Sequence, residues 1–241
     1  MRNIKLLSLI FLMSLFTIDS YGCTNFLVTK GASVDGSNFI TYAADSHIRY
    51  GELYFTPAAD WSPGDMRTIY DRGTNAIRGY VPQPAHTYQV VGYINENQVA
   101  LGETTFGGRT ELIDPTGIID YGSLIYIALQ RSKSAREAIQ VMTDLVQEYG
   151  YYSSGESFTI ADPREVWVME MIGKGVGVKG AVWVAVRIPD DCLSAHANQA
   201  RIHQFPLNDK ENCLYSPDVI SFAREKGYFS GLNKDFSFAN A

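Results

Sequence analysis

Cys23 is the residue with the clearest chemical possibilities. It follows a greasy leader and opens the stretch "CTNFLVTK". If the chain is cut before it, one residue carries both a thiol and a free α-amine. That amine has a pKa near ~8, well below that of lysine, so part of it is neutral at working pH and can accept a proton. The thiol, with a pKa of about 8.5, needs little help to become thiolate. Nucleophile and general base then share a single residue. Donors for an oxyanion and a group that orients the amine complete such a site. The plainer alternative is a small buried residue in a first strand; cleavage before Cys23 is what separates the two.

The leader supports that cut. Arg2 and Lys5 supply positive charge, and Leu6 to Ile18 is an apolar run broken only by Ser8, Ser14 and Thr17. Ser20 and Gly22 place small residues three and one before Cys23. This is the pattern of a secretory signal peptide, and the apolar run is shorter than the roughly 20 residues a membrane span needs. The expected organisation is therefore a signal peptide over 1–22 and one domain over 23–241, with an exported, periplasmic or extracellular product. A lipid-modified Cys23 is the competing outcome, though Ser20 and Tyr21 fit ordinary cleavage better than a lipoprotein pattern.

Other chemistries are poorly supported. The net charge is −6 and the basic residues are scattered, which disfavours nucleic acid as the main partner. No later segment reads as a membrane span. The four histidines, His47, His86, His196 and His203, show no zinc-binding spacing, and there is no CxxC, so neither metal nor organic cofactor is expected. Three cysteines, Cys23, Cys192 and Cys213, leave at least one unpaired. Cys192 and Cys213 form either a disulfide or two separate thiols.

The elements that must position Cys23 read as strands, then helices, then strands. "CTNFLVTK" and "NFITYAAD" form a hairpin about Asp35-Gly36, and "GELYFTP" is a further strand. Gly and Pro suggest a loop from about Trp61 to Pro84. "TYQVVGYIN" and "QVALGETT" make a second hairpin around Glu96-Asn97. Tyr121 to Arg131 is a buried helix. Ser134 and Glu137 form a capping box for a helix with apolar residues from Ala138 to Tyr149, ended by Gly150. "SFTIADPREVWVMEMI" turns at Asp162-Pro163-Arg164, and "AVWVAVRIP" reads as a strand buried on both faces. A short helix and a Phe-dotted tail close the chain. The order implies an α+β domain with antiparallel sheets.

"CTNFLVTKGASVDGSNFITYAADSH" resembles the N-terminus of the C69 (formerly U34) dipeptidase family, within the N-terminal-nucleophile hydrolase superfamily; "ALGETTFGG" and "SAHANQARI" resemble later family segments. The resemblance implies a four-layer αββα sandwich and hydrolysis of amide bonds in small peptides through a thioester. It casts Cys23 as nucleophile, Asp45 as the carboxylate beside its amine, and Asn198 as the oxyanion-hole amide. It makes Arg201 a candidate for orienting the site or gripping a substrate carboxylate, and Thr104 and Thr105 candidates for an oxyanion N–H. The chain departs from the pattern twice. Tyr42 stands where many relatives have arginine, leaving His47 or Arg49 to supply charge, and the chain is about half the usual family length. A C-terminally truncated domain with an exposed sheet face is therefore expected. Competing functions are an N-acyl amidase of the penicillin or bile-salt acylase type, and a non-catalytic relative or lipoprotein.

Overall fold

The structure, a computed structural model, describes residues 22–45 and 53–241. The leader up to Tyr21, and with it His47 and Arg49, lies outside the described residues.

The chain begins with β1 (Cys23–Val28), whose hairpin partners are two short pieces, β2 (Phe39–Ile40) and β3 (Ala43–Ala44). Both pair with β1 antiparallel, with Val28 opposite Phe39 and Cys23 opposite Ala44. Between them Thr41 Oγ1 takes the Phe26 N–H at 2.9 Å, so a side chain stands in for a carbonyl and the returning strand is broken. Gly36 turns the hairpin at φ 76°, a backbone that glycine adopts without a steric penalty.

Then come β4 (Phe55–Thr56), β5 (Ala59–Asp60), β6 (Met66–Tyr70), β7 (Ile77–Pro82), β8 (His86–Thr87), β9 (Val90–Val91), β10 (Ile94–Asn95) and β11 (Ala100–Gly107). The loop expected over Trp61 to Pro84 is instead a hairpin of β6 and β7, with Arg67 opposite Val81. Its turn is built by Asp71, whose Oδ1 accepts from Gly73 N and Thr74 N, and Ile69 and Val81 are buried in the core.

Helix α1 (Tyr121–Arg131) is capped by Asp120, which accepts from Ser123 N at 2.6 Å. Helix α2 (Ala135–Tyr149) is capped by Ser134, accepting from Glu137 N at 3.2 Å. Glu137 reaches one residue further back than a standard capping box, to the N–H of Lys133. Gly150, at φ 76°, ends the helix.

Three long strands follow: β12 (Gly155–Ala161), β13 (Val166–Gly173) and β14 (Ala181–Arg187). Then come β15 (Leu193–His196), β16 (Cys213–Tyr215) and a short helix α3 (Val219–Glu225). Among the described residues the strands form an eight-stranded antiparallel sheet in the order β16-β14-β13-β12-β11-β10-β9-β4. A four-stranded sheet is centred on β1, flanked by β15 and β2, with β3 also on β1; two small ribbons complete the set.

Alternation sorts the large sheet into two faces. Leu101, Phe158, Ile160, Trp167, Met169 and Met171 pack with both long helices. Val168, Ile172, Val182 and Val184 face the other way, toward Leu27 of β1 and toward α3. The molecule is thus layered: helices, large sheet, then small sheet with α3. This is the mixed fold with antiparallel sheets that the element order implies. The outer face of the small sheet is open, with Phe26, Phe39 and Leu193 at 54%, 48% and 70% exposure. Cys192 and Cys213 are both free thiols, so the disulfide alternative is not realised.

Candidate active site

Strand β1 points Cys23, Asn25 and Leu27 at the large sheet, and Asn25 and Leu27 are fully buried. Cys23 itself is half-buried at the strand's start. Of the three it is the one that is partly exposed.

Three elements converge on it. The first is the end of β3, where the Asp45 N–H donates to the Gly22 carbonyl at 3.1 Å. The Asp45 carboxylate lies against the same peptide: a Cβ placed on Gly22 would stand 3.5 Å from Oδ2. The second is the segment after β15. Asn198 accepts the Cys23 backbone N–H on Oδ1 and donates from Nδ2 to the Thr105 carbonyl at 2.7 Å. The third is β11, which supplies that carbonyl.

The Cys23 thiol feels all three. Burial pushes its pKa up, and the negative charge of Glu103 adds to the effect. Hydrogen bonds from the Asp45 backbone N–H and the Asn198 side-chain amide pull it back, because both stabilise the thiolate. The Asn198 amide therefore spans the site: its oxygen on the Cys23 nitrogen, one N–H on β11, and its nitrogen also in reach of the sulfur.

The remaining candidates take less direct places. Thr105 contributes its carbonyl, while its hydroxyl donates to Glu156 Oε1 at 3.0 Å. Thr104 faces the small sheet, with Oγ1 at 2.7 Å from His196 Nδ1 and 2.9 Å from the Ala197 carbonyl. Arg201 donates its backbone N–H to Glu170 Oε1, and its exposed side chain lines a cavity of about 730 Å³. Asn198 lines the same cavity, with Phe106, Ile172, Phe222 and Phe238. A recess lined mainly by apolar side chains thus opens directly beside the amide that touches Cys23.

Tyr42 cannot supply a charge near the thiol. Its hydroxyl donates to Glu103 Oε1 at 2.7 Å, and burial with that carboxylate keeps the phenol protonated.

Several buried polar residues around the site escaped the sequence reading. His196 bridges the sheets, its ring nitrogens each 2.7 Å from a threonine hydroxyl, Thr104 and Thr159. Asn25 lies 2.8 Å from the same Thr159 hydroxyl. Glu103, Glu156 and Glu170 are all buried. Their signal in the sequence was a carboxylate inside an otherwise apolar strand, which ordinarily marks a solvent-facing position.

Among the described residues no cluster of His, Cys, Asp and Glu could hold a metal ion, and no helix is long and apolar enough to cross a membrane.

Several curated proteins are similar to this chain in sequence. A protein named probable dipeptidase from Salmonella dublin is 28% identical, over 91% of this chain and 52% of its own length. One of that name from Latilactobacillus sakei is 29% identical, over 85% of this chain and 45% of its own. A probable dipeptidase A from Streptococcus pyogenes serotype M1 is 30% identical over the same shares. The chain thus spans about half the length of these relatives. Residues 62–241 match the family described as peptidase family C69, and the chain belongs to that family.

Proposed function

We propose that the chain is the nucleophile-bearing part of an exported cysteine dipeptidase, cleaved before Cys23 and folded as an N-terminal-nucleophile αββα sandwich. One observation carries the reading: the Cys23 nitrogen is held by Asn198 Oδ1 with the Asp45 carboxylate alongside. A strand N–H is ordinarily satisfied by a neighbouring strand's carbonyl; here a side-chain amide takes it, with a carboxylate near the preceding peptide. Freed by cleavage, that nitrogen is an amine already oriented toward its own thiol. The dipeptidase names of the relatives support a small peptide as substrate.

In this mechanism the amine takes the thiol proton and the sulfur attacks the scissile carbonyl. The oxyanion forms within reach of the Asn198 N–H that faces the sulfur. Preorganised donors of this kind are worth about 3 kcal/mol each in comparable sites. The C–N bond breaks, the ammonium gives its proton to the leaving amine, and a thioester remains. Water, deprotonated by the now neutral amine, attacks the thioester. The S–C bond breaks, the thiol is regenerated, and the acid leaves. Asp45 holds the ammonium form in place. Arg201, whose side chain lines the cavity, is the candidate for meeting a substrate carboxylate as a bidentate partner.

The apolar lining of the cavity also suits an acyl chain, so an N-acyl amide is the second reading. Rates on a panel of dipeptides and N-acyl amides separate the two. The decisive test of the nucleophile is Cys23→Ala in the processed protein: turnover should vanish, and wild-type rates would end the proposal. Mass spectrometry of the exported N-terminus should find an unblocked Cys23. A cut elsewhere or a lipid on that residue would remove the general base.

A further inference from the structure

We propose that Glu103 and Glu156 share one proton and together form a single buried anion that holds back ionisation of the Cys23 thiol. The proposal rests on Cys23 being the nucleophile, but its test does not.

Register brings the two carboxylates together. Thr105 pairs with Glu156 and Glu103 with Phe158, so the glutamates are diagonal neighbours on one face of adjacent strands. They are 3% and 1% exposed. Each has one oxygen satisfied by a hydroxyl: Tyr42 donates to Glu103 Oε1 at 2.7 Å and Thr105 to Glu156 Oε1 at 3.0 Å. The other oxygen of each, Oε2, is buried without a partner.

Two ionised carboxylates in this position would each bury an unsatisfied oxygen and repel. One proton between the orphaned oxygens removes both penalties, because a protonated carboxyl is a donor and its neighbour an acceptor. No lysine, arginine or histidine among the described residues pairs with either group. The other titratable groups facing them are Tyr42, Tyr151, Asp120 and Cys23. The Arg72 guanidinium lies behind them, over the Tyr121 ring and interacting with Asp120 and Tyr42, and it makes no ion pair with either glutamate, so the surroundings favour the proton over a second negative charge. Burial and the charge of Glu103 accordingly keep Glu156 protonated well above the usual carboxylate range.

The pair reaches the site in two ways. Thr105, whose hydroxyl is anchored on Glu156, gives its carbonyl to Asn198. The charge of Glu103 also bears directly on the Cys23 thiol. These are tuning and positioning residues; neither touches a reacting atom.

The experiment is the pH profile of iodoacetamide alkylation at Cys23, with the modified peptide assigned by mass spectrometry so that Cys192 and Cys213 do not contribute. Alkylation reports the thiolate whether or not Cys23 attacks a peptide bond, so failure here is distinct from failure of the Cys23→Ala test. A glutamine mimics a protonated glutamate, so Glu156→Gln leaves the one negative charge on Glu103. That variant should move the profile less than half as far as the double variant. The double variant removes the charge and should be alkylated about tenfold faster at pH 7. A double variant that overlays the wild type overturns the proposal, as does a Glu156→Gln variant that moves as far as the double. If the double variant does not fold, carboxyl carbon NMR of wild-type protein decides. One protonated buried glutamate at pH 7 supports the shared proton, and two ionised carboxylates refute it.

Discussion

The sharpest physical consequence of this architecture concerns His196. It sits between the sheets, 3% exposed, with only neutral threonine hydroxyls against its ring. Burial, helped by the positive charge of Arg201, pulls its pKa down from the ordinary 6.5 to about 4. In the native state the ring is therefore neutral, while in the unfolded chain it charges as pH falls through 6.5. Between those limits the unfolded state binds the extra proton, so acid draws the equilibrium toward unfolding. The stability held by a neutral His196 is complete above pH 6.5 and lost by about pH 4. At 1.36 kcal/mol per pH unit the loss is about 3 kcal/mol, a large fraction of a typical domain's margin. The buried Glu156 acts in the opposite sense. Its raised pKa favours the folded state at low pH and costs stability as pH rises. The two effects are separated by comparing wild type with His196→Gln, in urea melts taken at half-unit steps from pH 7.5 to 4. The variant keeps a donor and an acceptor but cannot titrate. The wild type should lose its advantage over the variant steadily below pH 6.5. A stability difference that stays constant across that range would refute the neutral, buried histidine.

Two further outcomes test the site and its support. Asn198→Ala removes the amide that faces both the nitrogen and the sulfur of Cys23; kcat should fall by about 10²–10³ with KM little changed, measured on the best dipeptide. Gly117→Ala puts a Cβ 2.7 Å from Tyr151 N and 2.8 Å from the Gly150 carbonyl carbon, backbone that cannot move aside. The urea midpoint should drop by the equivalent of about 3 kcal/mol with an unchanged slope.

Much of the fold was legible where the sequence carries local chemistry. Helix α2 could be placed because Ser134 and Gly150 are terminus signals whose geometry needs no tertiary partner, and α1 because its residues are apolar on most faces. The buried strand β14 was legible because an unbroken apolar run has no solvent-facing side. The hairpin of β6 and β7 was not, since Gly and Pro at its flanks masked a turn made by Asp71 and a packing role for Ile69 and Val81. The returning strand after Gly36 was legible as one piece but not as two, because the break depends on one Thr41 hydroxyl. At the site, Cys23 and Asn198 could be singled out by residue type and resemblance. Thr105 was named for its N–H, but it is the carbonyl that Asn198 uses. The buried glutamates carried only an ambiguous signal, a carboxylate in a largely apolar strand, and His196 carried none. Their meaning comes from which strands lie opposite them, and that is a property of the assembled sheets.

Those hidden polar groups explain how an irregular segment can carry a functional side chain. Asn198 lies between β15 and residues that form no regular structure, and a free loop would lose its position at a large entropic cost. The large sheet fixes this one at successive points. His196 is held between Thr104 and Thr159, the Ala197 carbonyl lies 2.9 Å from the Thr104 hydroxyl, and Asn198 donates to the Thr105 carbonyl. Beyond it, Glu170 accepts the backbone N–H groups of both Arg201 and Ile202. Burying Glu170 is unfavourable, and burial pushes its pKa up, but the two N–H groups offset part of that penalty. The loop thus acquires the rigidity of the strands beneath it. Replacing these polar anchors with apolar residues of similar size would suit the core's stability, yet it would release the segment that holds Asn198 over the Cys23 nitrogen. The polar seam between the sheets is therefore better explained by the placement of one amide than by the stability of the fold.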